Sequence, residues 1–424
     1  MAVFSRRAVI TGVGVLTPLG MDGNSFHSAL VAGKSGITPI TNFDPANLPV
    51  RFAGEISDFD AKNFVDKKDR KALRVMARTI HLAVAGAQCA LNDAKVDKTK
   101  LDKTRFGVVF GAGLIAVELP ELAEAARLSA HGQPGNIDLK MWGEKGLGAV
   151  PPLWMLKYLP NMLACQVSIF HDAQGPNNSI TQSDVAGLLA LGESFRILSR
   201  NHADFMLTGG AESKINPLSM TRHCLFEDLS RENDNPQGAS RPFDATRNGM
   251  VLGEGAGVLA LEELTHAQAR GAKIYGEVLG FGAAFDQKKD GSGVTRALNA
   301  ALKEARVAPA DLDHINGHGL STRDSDRREA AGICQGLAGG PGVIALKASL
   351  GNLGAAGATV ELIASLMALE KGVLPGTRNY QHPDAECPVE VITAARPVKK
   401  NCFVKISMDQ TGQCAAAVIR GGPL

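Results

Sequence analysis

The sequence predicts an α/β fold in which mixed sheets are covered by helices on both faces. Short apolar runs rich in Val, Ile, Ala and Gly alternate with helical patterns through both halves of the 424 residues, as in sheets with crossover helices. Hydrophobic residues make up 45% of the chain, enough for a large core. Glycine is abundant, at 47 residues, and aromatics are scarce, at 5%, so tight turns and close helix–strand contacts are expected.

Residues 8–16 (AVITGVGVL) are expected to form a buried strand ending in glycines, followed by a short helix over 25–33. A long Ala-rich helix is expected over 68–92, and a second buried strand over 106–111. Residues 178–199 begin polar and turn apolar, predicting a helix that starts at 181–184. Strands follow at 203–210 and, after a glycine turn, within 253–263. The second half repeats the idiom. Strands are expected at 275–281, 314–317, 343–347, 402–408 and 415–420, and helices at 293–305, 329–337 and 355–370. The segment 118–157 has irregular patterning and reads as an insertion or cap. The expected division is an N-terminal half, 1–264, with an insertion at about 113–160, and a C-terminal half, 265–424. They share pattern but little identity, and no low-complexity linker parts them.

Charge is nearly balanced, with 45 Lys and Arg against 43 Asp and Glu. No global field therefore points to nucleic acid or an anionic membrane, and an acidic partner needs a local basic patch. The seven cysteines are scattered and odd in number, with no CxxC, which reads as reduced intracellular thiols. The ten histidines show no metal-ligand spacing, so no metal is expected. No apolar run approaches the length of a membrane span, and residues 1–7 carry no signal-peptide pattern. A cytoplasmic protein is expected. Gly12-Val-Gly14 follows a strand, but no third glycine or distal acid completes a dinucleotide fingerprint. It reads as a tight strand–helix turn.

Five stretches stand in one order along almost the whole chain. They are RRAVITGVGVLTPLG (6–20), LTGGAES (207–213), SRPFDATRNGMVLGEGAG (240–257), INGHGLSTRDSD (315–326) and LKASLGNLGAAGATVE (346–361). Together they resemble the β-ketoacyl-[acyl-carrier-protein] synthases of the chain-elongating type. The resemblance implies a five-layered αβαβα thiolase fold built from two similar halves, and a dimer. It implies no cofactor beyond the phosphopantetheine arm of acyl carrier protein, which carries the substrate.

The same resemblance places the site residues. The family keeps a nucleophilic cysteine at the N-terminus of a buried helix, in a stretch like GPN–TACxSG. Counting from Gly175-Pro176, that position falls on Asp184, with Gly187 matching the family glycine. The first family histidine is retained as His318. The second follows a lysine by five residues; Lys347 is present, and Asn352 stands where the histidine is expected. An alternative register puts Gly351 there. An asparagine still offers an NH2 donor. Lys347 and Glu361 match the supporting charged residues, or form a structural ion pair. The glycine-rich gate of the elongating enzymes becomes Asp409-Gln410-Thr411, with Cys414 following in the same loop, so altered gating is expected. Lys67, Lys68, Arg70, Lys71 and Arg74 match the basic surface that family members present to acidic carrier protein, or form a solvated helix face. Met162, in Pro160-Asn161-Met162, resembles a segment that reaches the partner's pocket.

Asp184 changes the expected chemistry. An aspartyl ester made from a thioester is a mixed anhydride, higher in energy than the thioester. A helix N-terminus also favours the ionised carboxylate, a weak nucleophile. Decarboxylating a malonyl unit beside it is opposed: two unit charges at about 4 Å and an effective dielectric of about 20 repel by about 4 kcal/mol. Two readings follow. One is a non-condensing subunit resembling chain-length factors, as a homodimer or paired with a cysteine-bearing ketosynthase in fatty-acid or polyketide-type metabolism. The other is an altered enzyme, such as an acyl-thioester hydrolase in which Asp184 and His318 activate water.

Overall fold

The computed structural model describes residues 6–422 apart from 131, 132 and 134, so the leading residues 1–5 lie outside the described residues. Ten strands form the main sheet: β1 Ala8–Leu16, β2 Phe106–Ala112, β3 Asn177–Ile180, β4 Phe205–Ser213, β5 Glu254–Glu263, β6 Gly276–Phe285, β7 His314–Asn316, β8 Val343–Ile344, β9 Cys402–Met408 and β10 Gln413–Gly421. Their spatial order is β8-β7-β9-β10-β6-β1-β5-β4-β2-β3.

That order contains a repeat. Within the first five strands the sequence is third, second, fourth, fifth, first; within the second five it is the same. The strands of the two five-stranded units join where Ala8–Ile10 of β1 pairs antiparallel with Gly276–Val278 of β6. The helix Arg78–Asp93 packs outside the first unit, and Ser292–Ala305 outside the second. Two helices, Ala186–Ser199 and Gly357–Lys371, touch strands of both units. The layers therefore run helix, sheet, helix pair, sheet, helix. Gly357–Lys371 is buried without interruption through Ala368, as a helix between two sheets must be.

The glycines of β1 serve this packing. A Cβ at Gly14 would lie 2.0 Å from the Gly86 carbonyl oxygen, and one at Gly12 would lie 2.4 Å from that of Ala90. Helix Arg78–Asp93 thus lies directly on β1, and Gly12-Val-Gly14 is a packing contact. In the same way a Cβ at Gly187 would meet the Ala355 carbonyl at 2.4 Å, so the two central helices approach closely at their N-termini.

Several expected boundaries are corrected. The helix expected over 68–92 is broken: 3₁₀ turns occupy Lys67–Asp69 and Ala72–Val75, and the α-helix starts at Arg78. Met76 and Ala77 are extended, and the Arg78 guanidinium is drawn to Glu254 (Nε–Oε2 2.7 Å). The helix expected to start at 181–184 does begin there, with the turn Ser183–Val185 leading into Ala186–Ser199, but the polar residues before it form an unforeseen edge strand, β3, hydrogen-bonded to β2. The 343–347 strand ends at Ile344 and gives way to a short helix, Lys347–Leu350. The 329–337 helix starts earlier, spanning Arg323–Gly336. Within 118–157 lie one regular helix, Leu119–Ser129, and a series of short turns. None of the seven cysteines is bonded to another. Among the described residues no helix is long and apolar enough to cross a membrane.

Candidate active site

Asp184 enters the site through a sharp turn. Beyond β3 the chain reaches Ser183, a non-glycine residue at φ +46°, then a 3₁₀ turn, Ser183–Val185, then helix Ala186–Ser199. Positive φ at serine is held only where surroundings over-determine it. Here the Asp184 carbonyl accepts from Ser407 Oγ at 3.0 Å. Asp184 is 7% exposed. Its Oδ2 accepts from Asn352 Nδ2 at 2.9 Å, and its Oδ1 from Lys214 Nζ at 3.3 Å. Burial alone would raise this carboxyl, but the Lys214 ammonium beside it and the Asn352 amide hold it down at about 2. It is an ionised, paired carboxylate at neutral pH.

Asn352 arrives through Gly351, whose φ of +77° suits glycine. Its backbone N–H donates to Val251 O at 2.7 Å. Of the two registers the sequence allows, the structure brings Asn352, not Gly351, to Asp184.

His318 follows β7 in a loop clamped by two acids. His318 N and Gly319 N donate to Glu329 at 2.5 and 2.7 Å, and Leu320 N and Ser321 N to Asp326 at 2.9 and 3.0 Å. Lys347 Nζ donates to His318 O at 2.7 Å and Glu361 Oε1 at 2.8 Å, and lies 3.3 Å from His318 Nδ1. Burial, then the Lys347 charge, push the imidazole well below its ordinary range. A neutral ring whose Nδ1 faces an ammonium carries its proton on Nε2. That Nε2 lies 4.0 Å from Asp184 Oδ2 and has no hydrogen-bond partner among the described residues.

Three buried cations escaped sequence reasoning or gained meaning only here. Lys214 directly follows the LTGGAES stretch; a lysine at the end of a buried strand was the available sign. Lys405, 0% exposed, lies on β9 and binds Glu361, Gly317 O (2.7 Å) and Asn316 Oδ1 (3.1 Å). It was visible as the one charge in CFVKISM. Burial, partly offset by Glu361, lowers its ammonium to about 8. Lys347 and Lys405 flank Glu361 from both sides. These three form a buried network behind His318.

A cavity of about 380 Å³ opens on Asp184, Glu212, Lys214 and Asn352 and is bordered by Asp409, Gln410 and Thr411. That border is a tied hairpin turn between β9 and β10. Asp409 Oδ1 accepts from Gly412 N at 2.9 Å and Gln413 N at 3.0 Å, and its Oδ2 from Gln182 Nε2 at 2.9 Å. Gln410 donates to Glu227 across the opening. Cys414 corrects its expected place: it lies on β10, buried in the core with Ile406 and Val418. Burial pushes its thiol up to about 12, so it is an inert core residue outside the cavity wall.

Lys67, Lys68, Arg70, Lys71 and Arg74 are all exposed, on and between the two 3₁₀ turns Lys67–Asp69 and Ala72–Val75, not on one helix face. Arg70, Lys71 and Arg74 line a groove of about 510 Å³ with Lys62, Arg78 and Phe59.

The fold and this site have counterparts. Residues 5–267 match the β-ketoacyl synthase N-terminal domain, and 275–381 its C-terminal domain. The chain is 37% identical over 396 residues to the 3-oxoacyl-[acyl-carrier-protein] synthase 2 of Synechocystis sp., covering 91% of each. It is similar to the ishigamide ketosynthase/chain length factor, with a TM-score of 0.86 at 28% identity over 99% of this chain and 100% of that one. It is also similar to a chain of AntDE:AntF, a type II polyketide synthase acyl-carrier protein in complex with its ketosynthase bound to the hexaketide, with a TM-score of 0.84 at 28% identity and the same coverage. Repeated five-stranded units, the five motifs in order and matches across both domains agree: the chain belongs to the β-ketoacyl synthase family and has its thiolase-like fold.

Proposed function

We propose that this protein is a non-condensing β-ketoacyl synthase homologue that holds acyl groups delivered on the phosphopantetheine arm of acyl carrier protein. In this reading it serves fatty-acid or polyketide-type metabolism in the cytoplasm in the manner of a chain-length factor. The observation that carries the reading is the ion pair of Asp184 with Lys214 at the position the family gives to its nucleophilic cysteine. An ionised, charge-paired carboxylate does not store an acyl group as a thioester does. In keeping with this, the two similar solved structures described above are a ketosynthase/chain length factor and an acyl-carrier protein in complex with its ketosynthase.

A dimer belongs to the same reading, with a second copy or a cysteine-bearing ketosynthase. It is supported by the free edge of β3 and by the exposed apolar residues near it in sequence, Leu139 (81%), Leu153 (63%) and Ile169 (70%). Such edges and patches call for a cover. The hydrolase reading gains less support. A carboxylate held at about 2 is a poor base, and the His318 nitrogen facing it already carries its proton.

The test is incubation of the purified protein with acyl- and malonyl-carrier protein, read by intact mass and product analysis. No covalent adduct and no β-ketoacyl product are expected. An acyl adduct on the wild-type chain overturns the reading. Steady release of free acid, lost in both Asp184→Asn and His318→Ala, replaces it with the hydrolase.

A further inference from the structure

Most of the residues around the cavity at Asp184 carry a polar or charged group, with Ala112, Leu114, Pro160 and Met250 as wholly apolar side chains among them. At about 30 Å³ for each water-sized group, 380 Å³ houses roughly a dozen. An alkyl chain placed there would displace water from Lys214, Arg222 and their neighbours and return no hydrogen bonds.

The wall holds spare donor capacity at two cations. The Lys214 ammonium has three N–H groups and makes one hydrogen bond, to Asp184. The Arg222 guanidinium lines the cavity from an exposed position and makes no hydrogen bond or ion pair among the described residues. Much of the acceptor capacity is already engaged: Asp184, Glu227 and Asp409 accept from Asn352, Gln410 and Gln182 respectively. A ligand rich in acceptor oxygens fits this wall.

We propose that Lys214 and Arg222 make this cavity selective for short oxygenated acyl groups, carrying β-keto or β-hydroxy oxygens, over alkyl groups of the same length. The inference rests on the reading that the protein holds carrier-borne acyl groups, and it names which class of acyl group the cavity takes. Lys214 provides the inner donor beside Asp184, and Arg222 the outer one at the rim.

Acetoacetyl-pantetheine and butyryl-pantetheine share a four-carbon chain and differ by one keto oxygen. Calorimetric titration of the full-length protein is expected to show acetoacetyl-pantetheine binding at least about tenfold more tightly, the effect of a hydrogen bond to a charged group. Arg222→Gln, at an exposed position, should narrow that ratio by weakening acetoacetyl binding more than butyryl binding. The double variant Asp184→Asn/Lys214→Met, which removes the inner donor together with the carboxylate it bonds, should narrow it further. Equal affinity of wild type for both thioesters overturns the inference, and so does a variant that weakens both alike. Binding of neither thioester removes the acyl-holding reading and this inference with it.

Discussion

Lys214 Nζ stands 3.3 Å from Asp184 Oδ1, and each residue is only 7% exposed. Removing one partner strands the other charge out of water. Asp184→Asn or Lys214→Met alone is therefore expected to destabilise the fold by about 3–5 kcal/mol. The double variant Asp184→Asn/Lys214→Met should recover most of that loss, because neither charge is left unpaired. Urea denaturation of the four proteins measures the coupling. Additive losses would mean the two side chains do not act as a pair.

The same carboxylate makes an acid-dependent contribution. Its folded-state value of about 2 lies below the ordinary 3.8, so the ionised form stabilises the folded chain. That contribution is complete above about pH 4 and is lost as pH falls toward 2; it amounts to about 2 kcal/mol. Stability measured from pH 6 to 2 should fall more steeply for wild type than for Asp184→Asn/Lys214→Met. Parallel profiles would place the acid sensitivity elsewhere.

Within the hairpin turn beside the cavity, Asp409 Oδ1 accepts from both Gly412 N and Gln413 N. Asp409→Gly removes the acceptor shared by these two amides and the tie to Gln182, and restores the backbone freedom that glycine brings. Amide hydrogen exchange at Gly412 and Gln413 should then quicken by about tenfold or more, with little change in β9 and β10. Unchanged exchange would show that the strand pairing alone fixes the turn.

How much of this was legible in the sequence depends on how locally each feature is determined. Strand β1 was plain because all nine residues of AVITGVGVL are buried, so its apolar run is unbroken. Strand β3, NNSI, was missed because it is a polar edge strand, formed by hydrogen bonds to β2 that its composition does not advertise. The start of helix Arg78–Asp93 was misplaced because it is tied to Glu254, 176 residues away. Asp184, His318 and Asn352 were placed by motif spacing. Lys214 and Lys405 were not, because a buried lysine is intelligible only once its distant counter-ion is seen. Cys414 followed a recognisable loop in sequence, yet strand pairing with Met408 turns it into the core.

Carrier-protein docking is testable at the basic surface. Lys67, Lys68 and Lys71 are exposed, so their reversal should spare the fold. Lys67→Glu/Lys68→Glu/Lys71→Glu is expected to weaken binding of acyl carrier protein by about tenfold or more at low ionic strength, and by less as salt rises. Surface plasmon resonance across a salt series reads both effects. Affinity unchanged at low salt would move the docking site elsewhere.

Asp184→Cys is the most direct probe of the site's remaining capacity. The new thiol would stand at the same turn into helix Ala186–Ser199, beside Lys214, and both the helix end and a neighbouring ammonium favour thiolate. Asn352 Nδ2, which now donates to Asp184, and His318 Nε2, which has no partner among the described residues, remain as donors to an acyl oxygen. Acylation by an acyl thioester is therefore expected, as a mass increase of one acyl group absent from wild type. Product formation should lag behind it, because Gln182–Asp409 and Gln410–Glu227 tie the turn across the opening. Removing the ammonium as well, in Asp184→Cys/Lys214→Ala, should raise the thiol's apparent pKa by about one or more. The pH dependence of iodoacetamide alkylation measures that shift. A variant that iodoacetamide alkylates but acyl thioesters leave untouched would show that the oxygen-binding donors are out of place. Identical alkylation profiles with and without Lys214 would show that the helix end alone governs the charge at this position.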